Sequence, residues 1–336
     1  MKQRWLSALA AITVVVISGD AAEVERLRAT GGLPADIVGL FREPAAFERI
    51  PGGDYLVFDR AGHGVYRVGA TNNEVTRLVQ TGPESGRVLG PSGFVQAGRR
   101  FLVADTPGGR ERVQLFERDG TRVLGFTLPG MVAPRITFGS LTLSGVSSLE
   151  WTGASVIMSR PELGGLMTEF TPGGRARRTL GRFRPTGHED DPDLHLALNS
   201  GLPLVDPTGG YYFVFHAGVP MFRKYDLDGQ LLFERHIEGP ELDTTLQRLP
   251  TEWPDRQDTV GLALPLIPPT VRTAAVDPAG RLWVSLVAPF TYVYDRGGDK
   301  VRTLQFEAAG TVTPNSLFFE GADRLLVTPG CYIFDI

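Results

Sequence analysis

The residues richest in chemistry run from 188 to 195: His188, Glu189, Asp190, Asp191, Pro192, Asp193, Leu194 and His195. Imidazoles and carboxylates are the ligands that zinc and other divalent cations take. Asp190, Asp191 and Asp193 also offer the hard oxygens that calcium prefers. His188, Asp190, Asp191, Asp193 and His195 are therefore candidate ligands for a divalent cation, calcium or zinc. Their spacing matches no established metal motif, and no glycine stands where an EF-hand loop requires one. A solvated acidic loop is the reading that this spacing favours.

Other chemistry is sparser. There is no Gly-x-Ser-x-Gly elbow, no Walker-type phosphate loop and no dinucleotide fingerprint. The single cysteine, Cys331, lies in an apolar run and reads as a small buried residue. It can form neither an internal disulfide nor a thiolate metal site. Arg135, Arg175, Arg177, Arg178, Arg182 and Arg184 alternate with apolar residues, as a solvated outer face would. A net charge of −4 excludes the basic footprint of a nucleic-acid binder.

The elements that must position these groups follow from composition. The 336 residues include 41 Gly and 25 Pro, spread without a block or a collagen-like period. Such a spread suits many short strands joined by tight turns. One unit recurs: a short strand, a Gly turn, an apolar strand, a loop, another apolar strand, a Gly turn and a last strand. In its clearest copy Phe101, Leu102, Val103, Ala104 and Asp105 precede Arg112, Val113, Gln114, Leu115 and Phe116. Asp119-Gly120, a strong hairpin signal, then leads into residues 122–128. Looser copies centre on residues 55–78, 156–180, 211–234, 282–304 and 325–335. Their leading strands are expected at 45–50, 92–96, 147–151, 202–206, 272–277 and 316–320. Four strands per unit is the blade of a β-propeller.

Val103, Asp105, Arg112 and Asp119-Gly120 resemble the repeat of NHL-type six-bladed propellers. That resemblance implies an all-β, six-bladed propeller of four-stranded blades over residues 23–336. The last unit is one strand short. Residues 23–27 read like residues 74–78, so the N-terminal strand is expected to complete the last blade and remove two open edges. Lys2, Arg4, an apolar run of about 12 residues and small residues from Ser18 to Ala22 have the layout of a signal peptide, too short for the roughly 20 residues of a membrane span. The expectation is a 1–22 signal peptide, a periplasmic or secreted location, and no stable membrane insertion.

In such a ring, Arg42, Glu43, Asn199, Arg272 and Asn315 fall at the entrances of the innermost strands. Arginines there favour a small anionic ligand, because guanidinium matches carboxylate or phosphate geometry. For any single one of them, a structural clamp between blades is the favoured reading. Three long connections, 129–145, 185–200 and 239–269, are the natural binding loops. The longest is too apolar for a disordered linker and is expected to act as a lid or to cover a blade.

The function expected is an exported propeller that binds a small anionic ligand or a protein through these loops, without identified catalysis. Blade-to-blade packing makes a monomer sufficient. An alternative comes from six-bladed lactonases and gluconolactonase-like hydrolases, whose architecture is similar. That resemblance implies a channel cation held by a Glu, an Asn and an Asp, which polarises a carbonyl and activates water. Glu43 and Asn199 match the first two positions. Thr270 and Arg272 stand where the Asp belongs, and Asp277 lies too far along its strand. A second alternative is a scaffold subunit of a cell-envelope assembly.

Overall fold

Gly-centred turns fold the chain into successive antiparallel meanders. The computed structural model describes residues 24–71, 73–128, 136–138, 141–143, 149–250, 252–253, 255–257 and 263–336. The expected signal peptide, Glu23 and most of the 129–145 connection lie outside the described residues.

The first meander comprises Pro44–Arg49, Tyr55–Asp59, Gly64–Val68 and Val75–Thr81. The second comprises Pro91–Ala97, Arg100–Asp105, Arg112–Glu117 and Arg122–Thr127. The third comprises Leu149–Trp151, Val156–Met158, Met167–Phe170 and Ala176–Leu180. The fourth comprises Gly201–Val205, Tyr211–Phe215, Met221–Tyr225 and Leu231–His236. The fifth comprises Val271–Val276, Leu282–Leu286, Thr291–Tyr294 and Lys300–Glu307. Ser316–Glu320, Arg324–Thr328 and Tyr332–Asp335 form the sixth. These strands agree with the expected repeat to within a few residues.

Burial follows strand position. Second strands such as Tyr211–Phe215 and Leu282–Leu286 are buried throughout, because both faces meet a neighbouring meander. Fourth strands such as Leu231–His236 are largely exposed. The apolar clusters lie between consecutive meanders. Leu56 and Phe58 of the first pack with Phe101 and Phe116 of the second. Phe213 and Phe215 of the fourth pack with Ile157 and Met167 of the third. Leu326 and Cys331 of the sixth pack with Phe47 and Val57 of the first. Burying about 25 cal/mol per Å² of apolar surface at each such junction is the main stabilising term.

Two turn devices explain the repeat. Gly120 sits in the left-handed region (φ 88°), and a Cβ added there would lie 2.3 Å from the carbonyl oxygen of Leu78 in the preceding meander. Gly174, Gly229 and Gly298 repeat this contact against Phe126, Leu180 and Phe233. The turns before the last strands of the second to fifth meanders thus favour glycine twice, for its φ and for its close approach, whereas the first meander places Asn73 (φ 53°) there. The other device is an aspartate that closes the second strand. Asp59 accepts the N–H groups of Arg42 (3.0 Å) and Glu43 (2.8 Å), and Asp105 accepts that of Leu89 (3.0 Å). Each pins the connection leading into its own meander.

The N-terminal strand, Val24–Gly32, bridges two meanders. Residues 24–28 run parallel to Thr303–Glu307 of the fifth, and Ala29, Gly31 and Gly32 pair antiparallel with Phe334, Ile333 and Tyr332 of the sixth. The antiparallel pairing therefore falls a few residues beyond the expected 23–27. Gly32 permits it, since a Cβ there would lie 2.6 Å from the carbonyl oxygen of Cys331. Cys331 is buried as expected but occupies a turn (φ 50°), and burial raises its thiol to about 12.

The insertions are short helices that pack together. Leu194, Ala197 and Leu198 of the helix Pro192–Leu198 form one apolar cluster with Ala217 and Ile267, and Trp253 packs against it. Leu242 of the helix Pro240–Leu246 is buried in the cluster between the fourth and fifth meanders. Arg184 departs from the expected solvated arginine face. It is buried, donates to the carbonyls of Leu198 (2.9 Å), Ala217 (2.5 Å) and Val219 (2.7 Å), and burial lowers its guanidinium to about 10. Among the described residues no helix is long and apolar enough to cross a membrane.

Candidate functional site

The first strands of the meanders lie beside one another. That of the first lies beside that of the sixth, followed in turn by those of the fifth, fourth, third and second. Gln96 of the second returns to the first by donating its Nε2 to the carbonyl of Arg49 (3.1 Å). These strands enclose a cavity of about 480 Å³, the size of a small-molecule site.

One end of the cavity is cationic. Arg272 is the second residue of its strand, and Asn315 immediately precedes its own. Arg60 follows a second strand and so lies level with the start of the first. Arg272 Nε donates to Asn315 Oδ1 (2.5 Å). Glu43 neutralises Arg60, accepting from its Nε (3.1 Å) and its Nη2. Burial is the main cause lowering the Arg272 pKa, the Arg60 charge adds to it, and Glu43 opposes it. Among the described residues no protein carboxylate pairs with Arg272. His216 lies near the same end, and burial holds its imidazole down at about 4, so it is neutral at physiological pH.

Further along the strands the lining turns acidic. Glu48, Gln96 and Glu150 come from the first, second and third meanders. Glu48 is 9% exposed, and its Oε2 has no hydrogen-bond partner. Burial raises its carboxyl to about 8; a hydrogen bond from Gln96 opposes the shift and the charge of Glu150 adds to it. Burial raises Glu150 likewise to about 8. Both carboxyls are thus protonated at neutral pH and can donate as well as accept hydrogen bonds. Phe94 and Phe318 add aromatic surface to the same cavity.

The expected site residues divide. Arg272 and Asn315 line the cavity, whereas Arg42, Glu43 and Asn199 do not. Arg42 is exposed, and Glu43 is committed to Arg60. Asn199 is buried at the end of the Pro192–Leu198 helix. Its Oδ1 accepts from Arg184 N (2.9 Å) and its Nδ2 donates to the carbonyls of His195 (3.0 Å) and Arg184 (3.3 Å). Glu43 and Asn199, on which the hydrolase alternative draws, are thus each engaged by other groups of the protein.

The 188–195 run starts a helix. Asp191 is its N-cap and accepts from Leu194 N (3.1 Å), a contact that satisfies a free helix-end N–H. His195 Nδ1 meets Thr186 Oγ1 (2.7 Å), while Glu189 accepts from Thr186 N (2.8 Å). Asp190 and Asp193 are exposed, and His188 is half-buried. Among the described residues no three His, Cys, Asp or Glu side chains are grouped to hold a metal ion.

Sequence reasoning missed Glu48, Gln96, Glu150 and Arg60. A signal was present: Glu48 and Glu150 are ionisable residues inside expected innermost strands, where a ring's inward face must carry them.

No protein-family model matches the chain, and no curated protein matches it. Solved structures do. A virginiamycin B lyase from Staphylococcus aureus aligns with a TM-score of 0.53 at 9% identity, covering 88% of this chain and 95% of that one. A streptogramin B lyase aligns at 0.49 and 14% identity, covering 86% and 76%. A PQQ-bound aldose sugar dehydrogenase from Streptomyces coelicolor aligns at 0.48 and 12% identity, covering 94% and 97%. The described strands and the alignment at 0.53 make the chain a nearly all-β protein with a propeller-like fold. At these identities the likeness concerns the fold alone.

Proposed function

We propose that the protein is an exported six-bladed β-propeller that binds a small ligand bearing an anionic group in its central cavity, without identified catalysis. The observation that carries this reading is Arg272. Its guanidinium lines the cavity mouth, and among the described residues it is committed only through Nε, to Asn315, whereas the neighbouring Arg60 is neutralised by Glu43. A half-buried guanidinium facing a cavity favours a carboxylate or phosphate.

Six apolar junctions, the last between the sixth and first meanders, support the six-bladed closed ring. The Val24–Gly32 strand, paired with both the fifth and the sixth meanders, supports N-terminal closure. Because those junctions bury the apolar faces within one chain, a monomer suffices. Lys2, Arg4 and the apolar run after them support export to the periplasm or the medium. The co-packed insertions lead directly into the fourth and fifth inner strands at the mouth, where they would set ligand access.

The test is thermal unfolding of the protein and of Arg272→Gln with caproate, succinate or inorganic phosphate. A ligand at 100 times its Kd raises stability by about 2.7 kcal/mol. A rise in melting temperature for at least one anion, lost in Arg272→Gln, supports the reading. No rise with any anion, or an equal rise in the variant, overturns it.

A further inference from the structure

We infer that Glu48, Gln96 and Glu150 form an inner subsite for a protonated amine, so that the cavity takes a molecule with an anionic group at one end and an ammonium at the other. This rests on the reading of Arg272 as the anion site.

The argument begins with what the cavity lacks. Its charged and titratable lining groups are Glu48, Glu150, Arg60, Arg272 and His216. Arg60 belongs to Glu43, and His216 stays neutral. No basic side chain is bonded to Glu48 or Glu150 among the described residues. Other buried carboxyls among the described residues meet a cation or backbone donors: Asp105 pairs with Arg112, Glu111 with Arg160, and Asp59 accepts the N–H groups of Arg42, Glu43 and Gly62. Glu48 is nine-tenths buried, faces the cavity and holds Oε2 without a partner. A desolvated carboxyl left this way is costly unless something else completes it.

An ammonium completes it best. Two carboxyls and an amide oxygen supply three acceptors for its three N–H donors. Glu48 is the fifth residue of its strand and Arg272 the second of its own. At about 3.3 Å per residue their levels differ by roughly 10 Å. That separation suits an amine and a carboxylate joined by a short alkyl chain. Without ligand, burial keeps both carboxyls protonated near neutral pH. An entering ammonium favours their ionised form, so binding releases protons to solvent.

The experiment is calorimetry on the full chain at pH 7 with ε-aminocaproate, caproate and hexylamine, in two buffers of different ionisation enthalpy. The expected result is binding of ε-aminocaproate at least tenfold tighter than either relative, with net proton release. Glu48→Gln and Glu150→Gln, which keep side-chain volume, reduce ε-aminocaproate to the affinity of caproate and leave caproate unchanged. Circular dichroism melts establish that each variant is folded; if one is not, the proton-release measurement on the unaltered chain decides. Caproate binding as tightly as ε-aminocaproate, without proton release, overturns the amine subsite and leaves the anion site standing. Hexylamine binding through Glu48 while caproate does not bind overturns the anion site and retains the subsite. Failure of all three compounds overturns both.

Discussion

Acidic side chains on and beside the inner strands of this molecule obey opposite rules. Asp206 sits at the end of an inner strand of the fourth meander and is paired with Lys224, whose ammonium also lies 3.8 Å from the centre of the Tyr212 ring. Asp206 further accepts from Thr208 N (2.7 Å) and Oγ1 (2.8 Å). Glu48 and Glu150 lie on inner strands of the first and third meanders and pair with no cation among the described residues. A fully partnered buried charge holds a turn in place. A buried carboxyl left open toward a cavity spends stability on something other than folding, which is the pattern of a binding site.

The largest expected effect tests the paired side. Asp206→Ala strands the Lys224 ammonium in a buried setting, where desolvation already lowers its pKa. Breaking such a pair costs about 3–5 kcal/mol, measured by urea unfolding at pH 7. A loss below 1 kcal/mol would mean that this pair is not a structural clamp.

The next effect is a pH dependence with a definite sign. Between pH 4.5 and about 8 the folded chain keeps protons on Glu48 and Glu150 that the unfolded chain has released. Ionisation then favours the unfolded state, so stability falls as pH rises through this window and levels off above it. Each pKa unit corresponds to about 1.4 kcal/mol. Glu111, raised to about 7, contributes in the same direction, so the informative quantity is the difference between chains. Glu48→Gln and Glu150→Gln should each flatten the slope and be more stable than the parent at pH 9. Parallel pH profiles for parent and variants would break the contrast with Asp206.

Smaller effects concern the acidic run. Asp191→Ala removes the N-cap contact to Leu194 and should cost about 1 kcal/mol, read from the melting temperature with Asp193→Ala as the exposed control. Smallest of all, calcium, zinc or a chelator should leave the melting temperature unchanged. A cation-specific rise of several degrees would restore the 188–195 segment, or the cavity, as a metal site.

Much of the fold could be read from residue pattern, because it rests on local chemistry. Asp119-Gly120 declares its turn through the φ that only glycine takes easily, and Asp105 closes its strand by a contact within the same repeat. The candidate site was less legible because it depends on non-local convergence. Arg272 and Asn315 mark strand starts and could be placed from the repeat. Glu48 and Glu150 are about 100 residues apart in the chain and become neighbours only when the first and third meanders share an axis. Asn199 shows the converse. Its position before an inner strand suggested the cavity, but a helix that the loop reading left out ends there and turns its amide toward Arg184 and His195.

The most direct test of the account is a carbon-13 NMR titration of the glutamate carboxyls in the full chain, with Glu48→Gln and Glu150→Gln supplying the assignments. The account predicts that the Glu48 and Glu150 signals titrate near pH 8, far above the exposed glutamates. Titration of both near 4.5 would mean that the cavity does not desolvate them, and the contrast between paired and open carboxyls, together with the amine subsite built on it, would fall.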